Sequence, residues 1–562
     1  MRKQRKSVLL LCVLLIFSFA LSACGGAATT AGTTVAGSDA ATTAATTAAG
    51  GAGKIIYSNG GPEEFFETPW LNPGSFMYNK AIYAHLIVAD ENLAPLPTSP
   101  DALASAYEYS ADGKTLTFTL RDDAYWHDGV KITPEDIKWS IEYSTKTAVL
   151  NAVFKSTFTA IAGSDGGKAE TFSGIVIDGN KLVITFDKIA PDALLTFTQF
   201  APLPKKYFDG IDPLKIQQAP YFQKPVGSGP FYVDVVQLKN FTTLKPFDKY
   251  FNGVADFSIQ LLPSAGDSDA NLVTRVKSNQ LDFGYTKMVS DVQSIEGTPG
   301  VTLTPVNVRY TRLFYLNKFA KADGKPSPLA DVRVRQAINY AIDKKGFCEG
   351  LFMGTALPAD VMIPSENEKA SGLNKYEYNP EKAKALLAEA KWNPDTVLKV
   401  VYYYKDQTTV DLMTAIQANL KDVGIKMDFK LVEGDLATIL WKAPEDQVKG
   451  PSAVDWDMAY AAVAALSLHE YYNRFRTGSA TNSHTPQDDK LNTLIDATNA
   501  SANVADQITA FKALSQDESE TLPEIALYYQ PIFLITSNRI GDVKKANPQF
   551  NYNWDIQHWK VQ

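Results

Sequence analysis

His127 and Asp128 stand side by side in the run Trp126-His127-Asp128-Gly129, and a hydrolase uses such residue types as general base and orienting acid. Their setting argues against that chemistry. They fall in a turn between a strand pattern and a helix cap, and no nucleophile motif is paired with them. Gly227-Ser228-Gly229 sets a serine between glycines, but a nucleophile elbow and a phosphate loop both need longer glycine spacing. HExxH, CxxC and calcium-loop patterns are missing from the sequence, so neither a protein-bound metal nor a resident cofactor is expected. The chain reads as a non-enzyme. What remain are groups suited to binding: the amide-rich turn Ser58-Asn59-Gly60-Gly61-Pro62, the cluster Tyr402-Tyr403-Tyr404-Lys405, and the indoles of Trp441 and Trp456.

Several elements must position these groups. Lys54-Ile55-Ile56-Tyr57 has the pattern of a short buried strand leading into the first turn. Thr115 to Leu120 alternates after a turn at Asp112-Gly113, and Ile175 to Phe186 is split by Asp178-Gly179-Asn180, so two hairpins are expected. Thr133-Pro134-Glu135-Asp136 is a helix start, with a capping threonine and acids that suit the helix dipole. Further helices are expected after Asp331 and after Asn379. Leu398 to Tyr404, Val410 to Val423 and Ile425 to Leu431 read as strand, helix and strand, which implies a local parallel pair.

Length and charge narrow the class. A chain of 562 residues, 45% hydrophobic and 21% charged, implies roughly three domain-sized units of an ordinary globular kind. The formal charge of −8 becomes −12 once Arg2, Lys3, Arg5 and Lys6 are removed with a leader, so a nucleic-acid partner is not expected. That leader is the basic Met1 to Lys6 and the apolar Val8 to Leu21, too short for a comfortable membrane span. Leu21-Ser22-Ala23-Cys24 follows and resembles a lipobox, so residues 1–23 are expected to be removed and Cys24 to take a lipid anchor. Residues 24–53 are almost wholly Ala, Thr, Gly and Ser and read as a disordered tether. Beyond Cys12 and Cys24 only Cys348 is left, which excludes an intramolecular disulfide framework.

From Leu103 to Tyr143 the chain reads LASAYEYSADGKTLTFTLRDDAYWHDGVKITPEDIKWSIEY. This stretch resembles the family 5 extracellular solute-binding proteins, the oligopeptide and dipeptide receptors of ABC importers. Val226-Gly227-Ser228-Gly229-Pro230-Phe231, Val276 to Asp282, Asp331 to Ile338 and Leu522-Pro523-Glu524-Ile525 resemble the family in the same order. The resemblance implies an α/β, bilobal periplasmic-binding-protein-like fold with an accessory domain. Lobe I would take residues 54–96, 220–310 and 530–562, the accessory domain 97–219, and lobe II 311–529. It also implies that Asn59, Gly60 and Gly61 present backbone and small side chains to ligand, and that Tyr403, Tyr404 and Lys405 end a strand where dipeptide receptors hold a ligand carboxylate with a cation. Trp441, Trp456 and Asp457 join these as candidates in lobe II.

The chain departs from the family at one place. Peptide receptors carry an aspartate for the ligand's α-amine after the segment matching Trp456-Asp457-Met458-Ala459. Here the run continues without an acid to Glu470, so either the ligand lacks a free α-amine or Glu470 replaces the aspartate. The expected partners are a peptide or peptide-like solute, ABC permease subunits, and the membrane through the lipid. The expected form is a monomer on the extracytoplasmic face of the cell membrane, at the surface of a Gram-positive cell. The alternatives are a non-peptide cargo such as a metal chelate or a sugar, a sensor, and last an exported hydrolase.

Overall fold

The computed structural model describes residues 54–71, 78–90, 94–264, 269–306, 309–464, 466–543 and 555–562. The expected leader, Cys24 and the tether lie outside the described residues.

Three larger sheets organise the described residues, beside a two-stranded ribbon of Ile540–Gly541 and Lys560–Val561. The first has seven strands in the order Val301–Val306, Ile532–Ser537, Phe283–Thr286, Lys54–Gly61, Phe257–Pro263, Phe241–Pro246 and Phe231–Gln237. Lys54–Gly61 runs parallel to both neighbours, Phe257–Pro263 and Phe283–Thr286, and so lies deep in the sheet. Sequence reading ends this strand at Tyr57, but it continues to Gly61. A register shift between Ser58 and Gly61 absorbs the left-handed Gly60 (φ 84°), a conformation glycine adopts without strain.

The second sheet has four antiparallel strands, Ala104–Tyr109, Thr115–Leu120, Lys181–Thr185 and Ile175–Asp178, and contains both expected hairpins. Helix Pro134–Ser144 packs on it and starts with the expected capping box: Thr133 Oγ1 accepts from Asp136 N, and Asp136 accepts from Thr133 N. One continuous apolar core joins these two sheets, running from Ile56 and Ile259 through Trp70 and Phe200 to Phe118 and Ile184.

The third sheet has six strands in the order Leu357–Pro358, Glu524–Tyr529, Tyr310–Leu316, Met458–Ala464, Val397–Tyr402 and Lys426–Leu431. Its edge is the expected parallel unit: Val397–Tyr402 and Lys426–Leu431 pair in register, linked by helix Gln407–Asp422. Alternation divides it into two apolar layers. Phe314, Leu316, Met458 and Tyr460 face one layer, while Leu313, Tyr315, Ala459 and Ala461 face the other. Helices cover both faces, which is why these strands read as near-continuous apolar runs.

The chain passes between the seven-stranded and six-stranded sheets twice, between Val306 and Tyr310 and between Tyr529 and Ile532. The two passages are tied together, with Gln530 N donating to Tyr310 O at 3.2 Å.

Candidate functional site

At the first-sheet turn, the Asn59 amide is buried; its Nδ2 donates at 3.5 Å to Tyr285 O, while its Oδ1 accepts nothing among the described residues. Gly60 N donates to Ser264 Oγ at 3.0 Å, and Gly61 O accepts from Ser264 N at 3.2 Å. A Cβ on Gly61 would come within 3.0 Å of Leu261 and of Leu262 O. These glycines therefore permit close packing, Gly60 N and Gly61 O are already paired, and Asn59 Oδ1 is left open.

In the third sheet, Tyr310–Leu316 starts directly after the first passage. Arg312 pairs with Ala462 on one side and Tyr528 on the other, at a register shift against Glu524–Tyr529. Such an irregularity re-aims a side chain. The guanidinium carbon lies 3.9 Å from the Tyr404 ring centroid, 5.1 Å from that of Tyr310 and 5.8 Å from that of Tyr460. All three are within cation–π range. Arg312 Nε and Nη1 are sealed from solvent and have no acceptor among the described residues. Each such group costs roughly 1–3 kcal/mol when left unmatched. Tyr404 Oη is paired with Tyr403 Oη and Tyr460 Oη with Tyr528 Oη, both at 2.8 Å, so the hydroxyls fix the rings without relieving the guanidinium.

The sequence-derived residues do not all meet here. Tyr404 reaches the Arg312 cluster, and Tyr403 touches it through its hydroxyl while packing on the other layer. Lys405 points to solvent in an ion pair with Glu433 at 2.5 Å, with side chains 71% and 61% exposed, so the exposed lysine is not the buried cation of this strand end. Trp441 packs in the opposite layer, under the Arg474 guanidinium at 4.0 Å and against Tyr315. Trp456 is buried in that layer and donates from Nε1 to Ile439 O at 3.2 Å, the role of a core tryptophan. Asp457 lies at the far end of Met458–Ala464, roughly 16 Å along the strand from the Arg312 partner Ala462. Its buried carboxylate accepts from Lys399 N at 2.8 Å and pairs with Lys321, so it anchors strands.

Glu470 lies elsewhere again. With Asp192, His469, Lys114, Lys188 and Arg476 it lines a cavity of about 680 Å³ between the four-stranded sheet region and the third-sheet region. Burial, and next the Asp192 carboxylate, push its carboxyl up to about 7. Beside it, Ser467 Oγ donates to Asp192 Oδ1 at 2.6 Å, and His469 Nδ1 meets the same oxygen at 2.8 Å. His469 Nε2 faces Thr498 O at 2.9 Å. Both imidazole nitrogens therefore point at acceptors, which only the doubly protonated ring satisfies.

His127, the candidate catalytic base, is a structural clamp. Its Nδ1 accepts from Gly227 N at 3.1 Å and its Nε2 donates to Gly229 O at 3.0 Å. Burial pushes the imidazole down to about 4, and the neutral ring is the form this pairing requires. Asp128 is held by Lys206 at 2.6 Å and Tyr207 Oη at 2.8 Å. Among the described residues, no group of three or more His, Cys, Asp or Glu is placed to hold a metal ion. Among the same residues, no helix is long and apolar enough to cross a membrane.

Two helix-covered sheets joined by paired passages, with a third sheet fused to one of them, define an α/β binding protein with a periplasmic-binding-protein-like fold. The sequence profile of the bacterial extracellular solute-binding proteins, family 5 (middle region), matches residues 99–483, more than half of the chain, and the chain belongs to that family. A Brucella ovis protein named as an ABC transporter peptide-binding protein is 25% identical over 364 residues, which span 64% of this chain and 64% of that protein. The dipeptide-binding protein of Escherichia coli (strain K12) is 25% identical over 367 residues, 60% of this chain and 63% of that one. In both, the match spans less than two thirds of the relative's length. The crystal structure of the ABC transporter substrate-binding protein CtaP from Listeria monocytogenes shares the fold, with a TM-score of 0.71 at 19% identity over 91% of this chain and 99% of that one. These relatives are binding proteins of ABC transporters and not enzymes.

Proposed function

We propose that this protein captures a peptide or peptide-like solute outside the cytoplasmic membrane by closing two lobes around it, and delivers it to the permease of an ABC importer. In this reading lobe I is residues 54–96, 220–310 and 530–562, lobe II is 311–529, and residues 97–219 are an accessory domain on lobe I. The paired passages at 306–310 and 529–532 are the hinge. The observation that carries the reading is the state of the groups near that hinge. Asn59 Oδ1 on one sheet and Arg312 Nε and Nη1 on the other are buried and unmatched among the described residues. Unmatched buried polar groups at a hinge are what a solute with its own donors and acceptors would satisfy, and a solute touching both lobes favours the closed form. Cys24 carries the lipid that holds the protein to the membrane, and residues 24–53 tether it.

Native mass spectrometry of the full-length protein mixed with a diverse tri- to pentapeptide pool tests the cargo. Stoichiometric peptide adducts are expected. A protein that stays bare in that pool but takes up sugars or metal–histidine chelates would overturn the peptide reading and leave the closing receptor intact. Recovery of a Cys24→Ala variant in the detergent-soluble lipoprotein fraction, processed as normal, would overturn the anchor.

A further inference from the structure

We propose that Asp192, Ser467 and His469 form a proton-loaded latch across the cleft beside the hinge, which holds the receptor closed while His469 carries its second proton and lets it open when that proton leaves. This rests on the reading of the protein as a two-lobe receptor and names a control on its opening.

The position of the contact carries the inference. His469 lies on helix Leu468–Tyr472, which follows strand Met458–Ala464. Ala464 pairs with Tyr310, the first strand residue past one passage, and Thr311 pairs with Tyr529, the last before the other. The helix therefore starts at the end of the third sheet where both passages enter. Its partner belongs to another core. Ala193, Leu194 and Phe197 pack in the apolar core shared by the first two sheets, whereas Leu468, Tyr471 and Tyr472 pack in a layer of the third. What joins the two cores here is thin and largely polar. Leu195 meets Leu466, Val504 packs against the first core, Gln507 Nε2 donates to Pro191 O at 2.9 Å, and Asp192 takes Ser467 and His469. The cavity of about 680 Å³ flanks it. A junction of this kind separates more readily than either core.

Its chemistry makes the junction depend on a proton. Asp192 Oδ1 accepts from Ser467 Oγ at 2.6 Å and from His469 Nδ1 at 2.8 Å, and His469 Nε2 faces Thr498 O at 2.9 Å. Only an imidazolium donates in both directions. Loss of its proton turns a ring lone pair toward an acceptor and removes the charge that faces a largely buried carboxylate. His85 and His484 are buried too, but no carboxylate acts on either ring, and burial drives both toward the neutral form. In an open form the His469 ring leaves Asp192 and returns toward its ordinary value, so protons favour the closed form.

The surrounding charges act with this. Glu470, on the same helix, lines the cavity beside Asp192 and gains its charge as pH rises to about 7. Arg309, at the first passage, is a fixed positive charge that acts on both partners and is paired with Glu368. Asp496, on helix Asp489–Thr498, is paired with Arg476 at 2.7 Å, and Lys114 and Lys188 line the far wall. Loss of either proton, from His469 or from Glu470, adds net negative charge at Asp192.

Two measurements on the full-length protein test this. Spin labels are attached through p-acetylphenylalanine at Lys181, on the second sheet, and at Lys512, on helix Val504–Thr521, both exposed and away from the latch. Double electron–electron resonance reads the distance between them. Without added solute, the population at the longer distance is expected to rise about fivefold or more from pH 5.5 to pH 8.5. His469→Gln is expected to show at pH 5.5 the distances that the wild type shows at pH 8.5. In protein labelled with ¹³C-histidine, the ring resonance missing from the His469→Gln spectrum is that of His469, and its titration should track the opening, with a midpoint above 6.5. One distance distribution at both pH values, or a His469 ring that titrates below 6.5, would overturn the latch. The tri- to pentapeptide pool separates this from the receptor reading. Peptides that shorten the distance in a protein indifferent to pH leave the receptor and remove the latch. A pH-driven opening that no peptide alters keeps the latch and removes the peptide reading. The wild type is itself titrated, so the outcome does not depend on the variant folding.

Discussion

His469 Nδ1 lies 2.8 Å from Asp192 Oδ1, joining the helix that follows Ser467 to the segment that starts helix Ala193–Phe197, with the two side chains 7% and 15% exposed. Burial alone would push the imidazole down and the carboxyl up. Their contact overrides it, so His469 is held above its ordinary 6.5 and Asp192 below its ordinary 3.8. A histidine raised in the folded state contributes its full stability below about 6.5 and loses it as pH rises through the raised value. Asp192 contributes above its ordinary value and fails only as pH falls through its lowered one. Glu470, raised from 4.5 to about 7 by burial and then by Asp192, acts in the same direction as His469: its contribution is full below about 4.5 and is lost as pH rises to about 7. Arg309 also acts on both partners, as a fixed positive charge.

The segment at Asp192 should therefore hold the helix at His469 most firmly near pH 5 and loosen toward pH 8 to 9. Asp192→Asn should cost on the order of 3 kcal/mol at pH 5.5 and much less at pH 9. Urea unfolding of both proteins across that range, with hydrogen exchange at residues 190–197 and 466–472, measures the difference. A cost that does not change with pH would show that the contact is an ordinary hydrogen bond.

Trp456→Ala and Lys405→Ala should separate sharply. Trp456 is 2% exposed and packs in the layer with Leu440 and Tyr315, so its truncation opens a core cavity and should cost about 3–5 kcal/mol. Lys405 makes an exposed ion pair, and its loss should shift stability by no more than about 0.5 kcal/mol. Denaturant midpoints with unchanged m-values check both. A Trp456→Ala protein of wild-type stability and weakened solute binding would return that indole to the binding site.

Much of the architecture was legible in the chain because it is written in local terms. The Thr133–Asp136 capping box, the Asp112-Gly113 turn and the run from Val397 to Leu431 each carry their own period or cap, and each forms where expected. The candidate site is different in kind. Arg312 sits in an ordinary strand pattern, and only the convergence of Tyr460 and Tyr528 from its two neighbouring strands and of Tyr404 from the segment after Val397–Tyr402 makes it notable. Candidates that look like one group are also divided between the layers: Tyr404 turns to one, while Tyr403, Trp441 and Trp456 pack in the other. One available signal was the parity of Arg312 with Phe314 and Leu316, which places a charge on an otherwise buried face.

Tyr404→Phe and Tyr404→Ala dissect the aromatic cluster around Arg312. The ring holds the guanidinium at 3.9 Å, so phenylalanine should keep the stacking and lose only the hydroxyl link to Tyr403. Alanine removes the ring and should weaken solute binding by about 0.5–2 kcal/mol, several-fold to some thirtyfold in Kd. Calorimetry with whichever solute the native mass spectrum reveals makes the comparison. Equal affinities for the two variants would mean that the ring does not position Arg312.

His127 should show the opposite pH response to His469. Its neutral ring bridges Gly227 N and Gly229 O, and burial lowers it to about 4. A histidine lowered in the folded state contributes fully above its ordinary 6.5 and loses that contribution as pH falls toward the lowered value. The strap it holds is tight: a Cβ on Gly227 would come within 2.0 Å of Ile82 O, and Ser228 N and Gly229 N both donate to that same carbonyl. Replacing His127 by phenylalanine keeps the ring volume but strands two buried backbone groups, so it should cost about 2–4 kcal/mol at pH 7.5 and less at pH 4.5. Gly227→Ala should cost at least as much at both pH values, because its fault is steric and no proton relieves it. Urea unfolding of the two variants at both pH values decides the matter. A His127→Phe penalty as independent of pH as that of Gly227→Ala would mean that the ring is held by packing and not by its two hydrogen bonds.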